Sequence, residues 1–286
     1  MKQYLSKIKP FYHSEFKDFY EKLDELLNTE NSYFLPEKNG TKKDLLFLTA
    51  THGDEEIGKS VMQEIWSKEA RKVSHKAKES MQDYSRTHRF DWLVANEKAL
   101  AEKKRFVDVD LNRSAPGNHA SEKYEEKRAA QLLDYSKSYN YVIDLHGSKA
   151  NTGLFTIITK LSFDDLLLAA QFDIPNIVIW LASEQRETGP LVQYMEPAIE
   201  IECGPKTDAR TMKELQKNIK SFLQKYNTPV MSEDFKNKNI YMVYDKLESC
   251  DLELKDFHEV EHEGEEFYPL LVGEYDISCY KMFKLK

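Results

Sequence analysis

Three apolar runs in this chain end in residues that can do chemistry. "DLLFLTA" (44–50) leads into Thr51-His52-Gly53-Asp54-Glu55, "YVIDL" (141–145) into His146-Gly147, and "AIEIE" (198–202) closes on Glu202 before Cys203-Gly204-Pro205. In open α/β sheets, ligands bind just beyond the carboxyl ends of strands, so two histidines and two glutamates can meet at one sheet edge. Two imidazoles and one carboxylate are a sufficient protein set for a catalytic zinc, with a fourth position left for water. Bound zinc brings the pKa of that water to about 7. His52 and Glu55 lie three apart in a loop entering a helix and can reach one ion, which leaves Glu202 free to act as general base. The order of the three strands in the sheet is not encoded in this pattern.

Two other patterns compete. Gly53–Ser60 reads G-D-E-E-I-G-K-S and fits the nucleotide-binding pattern G-x-x-x-x-G-K-[ST]. That loop works by wrapping backbone N–H groups around a polyanion. Here Asp54, Glu55 and Glu56 would repel a triphosphate, and no small residue lies between Gly53 and Gly58 to ease the wrap. A P-loop-like nucleotide-binding protein is therefore the alternative from a different class. Near the end, His258-Glu-Val-Glu-His262 fits the zinc-protease pattern H-E-x-x-H. The pattern needs a helix, where residues four apart are about 6 Å from each other. Its flanks are strand-like, and in a strand that separation is about 13 Å. It is expected to be a surface segment. Cys203 is expected to be a small buried residue, and His13, His75, His88 and His119 have no ligand-like partners at useful spacing.

The elements that must hold these residues alternate between periods of two and of 3.6. Strands are expected at 44–50, 90–96, 141–145, 154–158, 174–180 and 198–202. Helices are expected at 14–29, where an amphipathic helix packs at the periphery, after the loop with Ile57, Val61, Met62, Ile65 and Trp66 inward, at 121–139, and after a cap at Thr207 or Asp208. Alternation of this kind implies α/β architecture, a mainly parallel mixed sheet flanked by helices. From Asn239 the segments are short and alternating, with no helix. The expected division is 1–228, an α/β hydrolase domain, and 229–286, a small C-terminal β domain.

Composition narrows the function classes. The 286 residues carry a formal net charge of -8, which argues against a broad nucleic-acid-binding face. No apolar run approaches the ~20 residues of a membrane helix. Three widely spaced cysteines give no disulfide framework, so a cytoplasmic location is expected. A homo-oligomer is compatible with these features. The basic stretch Lys68–Arg89 reads either as a solvated helix and loop or as a positive rim that attracts an anionic substrate.

With these residues in hand, the sequence resembles the succinylglutamate desuccinylase and aspartoacylase family, a branch of the zinc carboxypeptidase fold. The resemblance is carried by "HGDEEIG" (52–58), "RFVDVDLNR" (105–113), "VIDLHGS" (142–148) and "IEIECGP" (199–205), in the family's order. It implies one zinc per chain held by His52, Glu55 and His146, with Glu202 as general base acting on zinc-held water. It implies Arg105 as the group that polarises the scissile carbonyl, and Asn112 and Arg113 as binders of a substrate carboxylate. Asp110 and Asp144 then orient loops or ligands. Further substrate contacts are expected in 181–197, with Arg186 and Tyr194 as candidates, and Tyr275 as a contact from the C-terminal module. The implied activity is zinc-dependent hydrolysis of an N-acyl amino acid or similar small carboxylate-bearing amide. A zinc carboxypeptidase acting on small peptides is the nearest alternative. Asn96-Glu97 stands where the family usually carries Asn-Pro, and the loop after His146 is "GSKANTG", so the acyl group is left open.

Overall fold

The computed structural model describes residues 1–35, 40–76, 90–181 and 188–286, with backbone only for Phe11 and residues 68–76. Arg186 and the basic side chains of Lys68–Arg89 lie outside the described residues. The strands are β1 (Ser32–Tyr33), β2 (Lys43–Thr49), β3 (Phe90–Val94), β4 (Tyr139–Leu145), β5 (Gly153–Ile158), β6 (Asn176–Ile179), β7 (Ala198–Gly204), β8 (Val230–Met231), β9 (Asn239–Leu247), β10 (Val260–His262), β11 (Glu265–Leu270) and β12 (Cys279–Lys284). Ten of them form one sheet in the order β10-β11-β12-β9-β6-β5-β7-β4-β2-β3. β3, β2, β4 and β7 run parallel to one another. β5 is antiparallel to β7, and β5, β6 and β9 are mutually parallel. β9, β12, β11 and β10 close the far edge as antiparallel neighbours. This is the mainly parallel mixed sheet that the alternation implied.

Both faces of the sheet centre are covered, which is why its strands read as continuous apolar runs. Every residue of β4 is buried. Along β2 the side chains alternate: Leu45 and Phe47 enter one core layer, and Leu46 and Leu48 the other. The first layer holds the apolar faces of helices Ile57–Lys76 and Ala209–Lys225, including Val61, Met62, Leu215 and Phe222. The second layer is covered by helix Tyr124–Ser136, through Ala129 and Leu132.

The fold departs from expectation in two places. Helix His13–Asn28 is not peripheral: Phe16, Phe19, Leu23 and Leu26 are buried in the main core. They gain that cover from the far end of the chain, because Phe283 of β12 packs edge-on against Phe16 and stacks on Tyr4. Helix Phe163–Ala170 was not expected. Its residues 165–170 are all buried, so it has no polar face to generate an amphipathic period, and its start is marked only by the Ser162 cap on Asp165 N. The chain beyond Thr228 is hydrogen-bonded into the main sheet through β9 against β6. The boundary expected at 228/229 falls in the turn after helix Ala209–Lys225, and the sheet is continuous across it.

Asp165 brings a carboxyl into the buried helix. Its Oδ1 accepts from Ala198 N at 2.9 Å, while Lys160 Nζ stands 3.6 Å from Oδ2. Burial pushes its carboxyl up to about 7, against the pull of Lys160. An unfolded Asp titrates near ~4, so the folded chain holds a proton that the unfolded chain has lost between ~4 and 7. Stability from this group is therefore present at low pH and lost as pH rises through 7. Asp165→Asn should remove that slope, so the variant should gain roughly 1–3 kcal/mol over wild type in urea unfolding at pH 8 and much less at pH 5. Equal differences at both pH values would show that Asp165 is not the source.

Candidate active site

The three reactive strand ends are neighbours. β2, β4 and β7 lie side by side in parallel, and deliver His52, His146 and Glu202 to the same edge of the sheet. After β2 the chain turns sharply: Glu55 N donates to His52 O at 3.0 Å, which folds Glu55 back beside His52. Gly53 is required because the turn lies flush on the backbone of helix Glu97–Glu102. A Cβ there would sit 2.1 Å from the Ala99 carbonyl carbon. Gly53 N in turn donates to Arg105 O at 3.1 Å, tying the arginine's backbone to the same turn.

The side chains converge on one space. His52 Nδ1 is 2.9 Å from Glu55 Oε1, and His146 Nδ1 is 3.3 Å from Glu55 Oε2. One ligand atom from each of His52, Glu55 and His146 lies within 4.8 Å of the other two. On the far side of each ring a carboxylate holds Nε2: Asp110 Oδ1 at 3.1 Å for His52 and Asp144 Oδ2 at 3.0 Å for His146. Asp144 is itself held by Thr51 Oγ1, at 2.8 and 2.9 Å. A carboxylate behind each imidazole fixes the ring and turns its other nitrogen to the shared space, the arrangement found behind metal-bound histidines. His52 Nδ1 is buried and has no hydrogen-bond partner among the described residues, although Glu55 Oε1 stands 2.9 Å away. An orphaned buried imidazole nitrogen, a second imidazole and a carboxylate fit a divalent cation of the zinc type. A second acidic group, Asp144, His146 and Glu200, shares His146. Its carboxylates are already engaged by Thr51, His146 and Asn112, so it is the weaker cradle.

Electrostatics point the same way. Burial opposes protonation of both histidines, yet Glu55 raises His52 and Asp144 raises His146 well above the usual range. Burial likewise disfavours the Glu55 anion, but the two imidazoles hold its carboxyl well below the usual value. The cluster therefore demands positive charge, which protons or a divalent cation can supply at the same nitrogens. Glu202 behaves in the opposite way. Burial first, then repulsion from Glu55, pushes its carboxyl up to about 8, and its Oε1 has no hydrogen-bond partner among the described residues.

Arg105 reaches the cluster from the loop after helix Glu97–Glu102, with NH1 3.3 Å from Glu55 Oε1 and NH2 3.4 Å from Asp110 Oδ2. Asn96 caps that helix by accepting from Ala99 N, so Glu97 occupies the first helical position, where an acid suits the helix dipole as a proline suits the missing donor. The loop is organised by a residue that sequence reasoning missed. Glu125 is fully buried and accepts from Val107 N, Asp108 N and Val109 N at 2.6, 3.0 and 3.2 Å, and from Asn96. Nothing in the local sequence of its helix marks it. Glu200 was also missed, although it lies two residues before Glu202 and so shares its strand face. It accepts from Asn112 Nδ2 at 3.0 Å, and Asn112 Oδ1 accepts from Leu191 N at 3.1 Å.

A cavity of about 380 Å³ opens over the cluster, and Arg105, Asn112, Arg113, Glu202 and Tyr275 all line it. Tyr275 comes from the segment between β11 and β12, where Glu274 Oε2 accepts from Lys149 N and Ala150 N at 2.6 and 2.8 Å and so pins that segment beside the His146 loop. Tyr194 is not brought to this cavity. It lines a separate surface depression with His119 and Pro116. The nucleotide pattern has no cradle: Gly53 N is spent on Arg105 O and Glu55 N on His52 O, a Cβ at Gly58 would meet Leu145, and Lys59 lies beside Glu56 outside the active-site cavity. His262 lies on edge strand β10 and His258 in the turn before it, so H-E-x-x-H is not helical.

Glu125→Ala would remove the buried acceptor shared by the Val107, Asp108 and Val109 N–H groups in the loop that carries Arg105. It should lower stability by about 2–4 kcal/mol in urea unfolding. A loss below 0.5 kcal/mol would contradict this account of the loop.

Known proteins resemble this chain in sequence and in fold. A model described as "Succinylglutamate desuccinylase/Aspartoacylase catalytic domain" matches residues 41–226. A probable aspartoacylase of Prochlorococcus marinus (strain AS9601) is 29% identical over 180 residues, which covers 57% of this chain and 54% of that protein. An N-acyl-aromatic-L-amino acid amidohydrolase (carboxylate-forming) of Xenopus laevis is 27% identical over 229 residues, covering 69% and 75%. The chain spans about half the length of the Prochlorococcus relatives it matches. Among solved structures, murine aminoacylase 3 aligns with a TM-score of 0.63 at 18% identity, over 87% of this chain and 97% of that one. The succinylglutamate desuccinylase from Chromobacterium violaceum gives 0.58 at 16% identity, over 92% and 96%. At these identities the structural likeness establishes the fold.

Proposed function

The chain belongs to the succinylglutamate desuccinylase/aspartoacylase family, and on that premise we propose that it is a metal-dependent amidohydrolase that cleaves the acyl amide of an N-acyl amino acid or a similar small carboxylate-bearing amide. The observation that carries the reading is the buried trio His52, Glu55 and His146, with a carboxylate behind each imidazole and Glu202 unpartnered beside it. His52, Glu55 and His146 would hold one zinc ion, which when bound would supply Lewis acidity, polarising a carbonyl and acidifying a water molecule.

The chain's own groups then have separable tasks. Glu202 takes a proton from water in the cavity and returns it to the leaving amine, a role suited to a carboxyl whose proton affinity is raised towards the working pH. Arg105 directs a guanidinium N–H at the carbonyl oxygen and offsets the negative charge that develops there. Asn112 keeps one Nδ2 hydrogen after serving Glu200, and Arg113 keeps all but one donor after bonding Asn112 O, so the two can fix a substrate carboxylate. Tyr275 closes the cavity beside Arg105. Leu271 and Glu274 narrow the same side, which favours a small amide over an internal bond of a long chain.

Purified protein reconstituted with zinc should contain about one ion per chain. His52→Ala or His146→Ala should lose it, whereas Glu202→Gln should keep the ion and lose at least about 100-fold in amide hydrolysis. Wild type that takes up no zinc would overturn the metal reading. Full activity in Glu202→Gln would remove only the general-base role.

A further inference from the structure

The active-site cavity does not end at Tyr275. A second cavity of about 270 Å³ adjoins it, and the two share Lys9, Trp180, Leu181 and Tyr280. Aromatic rings mark the passage between them. Tyr275 and Tyr280 have centroids 6.0 Å apart, and Tyr280 and Trp180 meet at 4.5 Å. The wall beyond is largely apolar, with Ile8, Tyr12 and Met242. Its charged groups are almost all compensated: Lys7 by Glu265, Lys246 by Glu248 and Asp245 by Lys281. Lys9 Nζ has no ion pair or hydrogen bond among the described residues, and it stands where the two cavities join. Lys9 itself is exposed, and its backbone is held by its neighbours. The preceding Ile8 is buried, Tyr4 stacks on Phe283 at 4.8 Å, and a short turn, Pro10–Tyr12, follows at once. This N-terminal segment precedes the family-matched residues 41–226.

The geometry of the proposed reaction gives the passage a direction. With the substrate carboxylate at Asn112 and Arg113 and the scissile carbonyl at Arg105, the chain on the far side of the carbonyl is the acyl chain, which leaves past Tyr275. We infer that Tyr280, Trp180 and Lys9 form a subsite for a long acyl arm, apolar along its length and ending in a carboxylate or similar anion. An acetyl group is too short to follow the two ring pairs, whereas an arm that runs along them reaches Lys9, the cation without an ion pair among the described residues of this wall. This inference rests on the amidohydrolase reading for the direction of the arm.

The test uses the zinc-reconstituted full chain and three amides of one amino acid, with acetyl, octanoyl and ω-carboxyoctanoyl arms. The ratio of kcat/KM for ω-carboxyoctanoyl over octanoyl should fall about fivefold in Lys9→Ala, as for a partly exposed ion pair, and further in Lys9→Glu. Trp180→Ala should lower the octanoyl-to-acetyl ratio about tenfold. Ratios unchanged within twofold, or equal losses on all three amides, would overturn the subsite. Calorimetric binding of octanedioate separates the two proposals. If no amide is cleaved but Lys9→Ala weakens octanedioate binding, the hydrolase reading fails and the subsite stands. If amides are cleaved and octanedioate binds wild type and Lys9→Ala alike, or neither, the subsite fails and the hydrolase reading stands.

Discussion

The Glu55 carboxylate, held between two buried imidazoles, is the interaction on which the rest of the site depends. A buried carboxylate is costly unless positive charge is brought to it. Here His52, His146 and Arg105 all approach it, and Gly147 N donates to it at 3.0 Å. His52 and Arg105 are in turn held by Asp110, and His146 by the buried Asp144. The result is an alternation of charge outward from Glu55, in which removing either imidazole leaves acids on both sides of it without a partner. Such a network is a poor source of stability but a strong determinant of geometry. It explains why so much of the 105–113 loop is committed to holding Arg105 and Asp110 in place.

The sheet is what makes this convergence possible. Three parallel neighbours present their carboxyl ends together, so residues nearly 100 positions apart in the chain meet without any long loop having to reach. β5 pairs antiparallel with β7, and β6 and β9 to β12 extend the sheet beyond it, so that Tyr275 and Tyr280 join Arg105 and Trp180 in lining one cavity. The N-terminal segment is locked against β12, so both chain ends contribute to one wall of the substrate space.

Much of this was legible in the sequence because it is written in local pattern. The strands ending at His52, His146 and Glu202 are apolar runs with a polar stop, and the helices that cover them keep a 3.6-residue period. What was not legible depends on partners distant in sequence. Helix Phe163–Ala170 has no amphipathic period because both its faces are covered. The first long helix looked peripheral because Phe283, which buries it, comes from the last strand. Glu125 looks like any helical glutamate until the backbone of 107–109 is laid across it. Tyr194 and Tyr275 carry equal signal in sequence, and only the topology separates the one on a remote depression from the one on the cavity wall.

The central claim is that His52, Glu55 and His146 form a metal centre, and anomalous diffraction at the zinc edge from a crystal of the zinc-reconstituted chain tests it most directly. The account predicts one peak about 2.0–2.2 Å from His52 Nδ1, His146 Nδ1 and a Glu55 oxygen, with Asp110 and Asp144 still bonded to the two Nε2 atoms. A peak centred instead on Asp144, His146 Nε2 and Glu200, or no peak at the sheet edge at all, would contradict it.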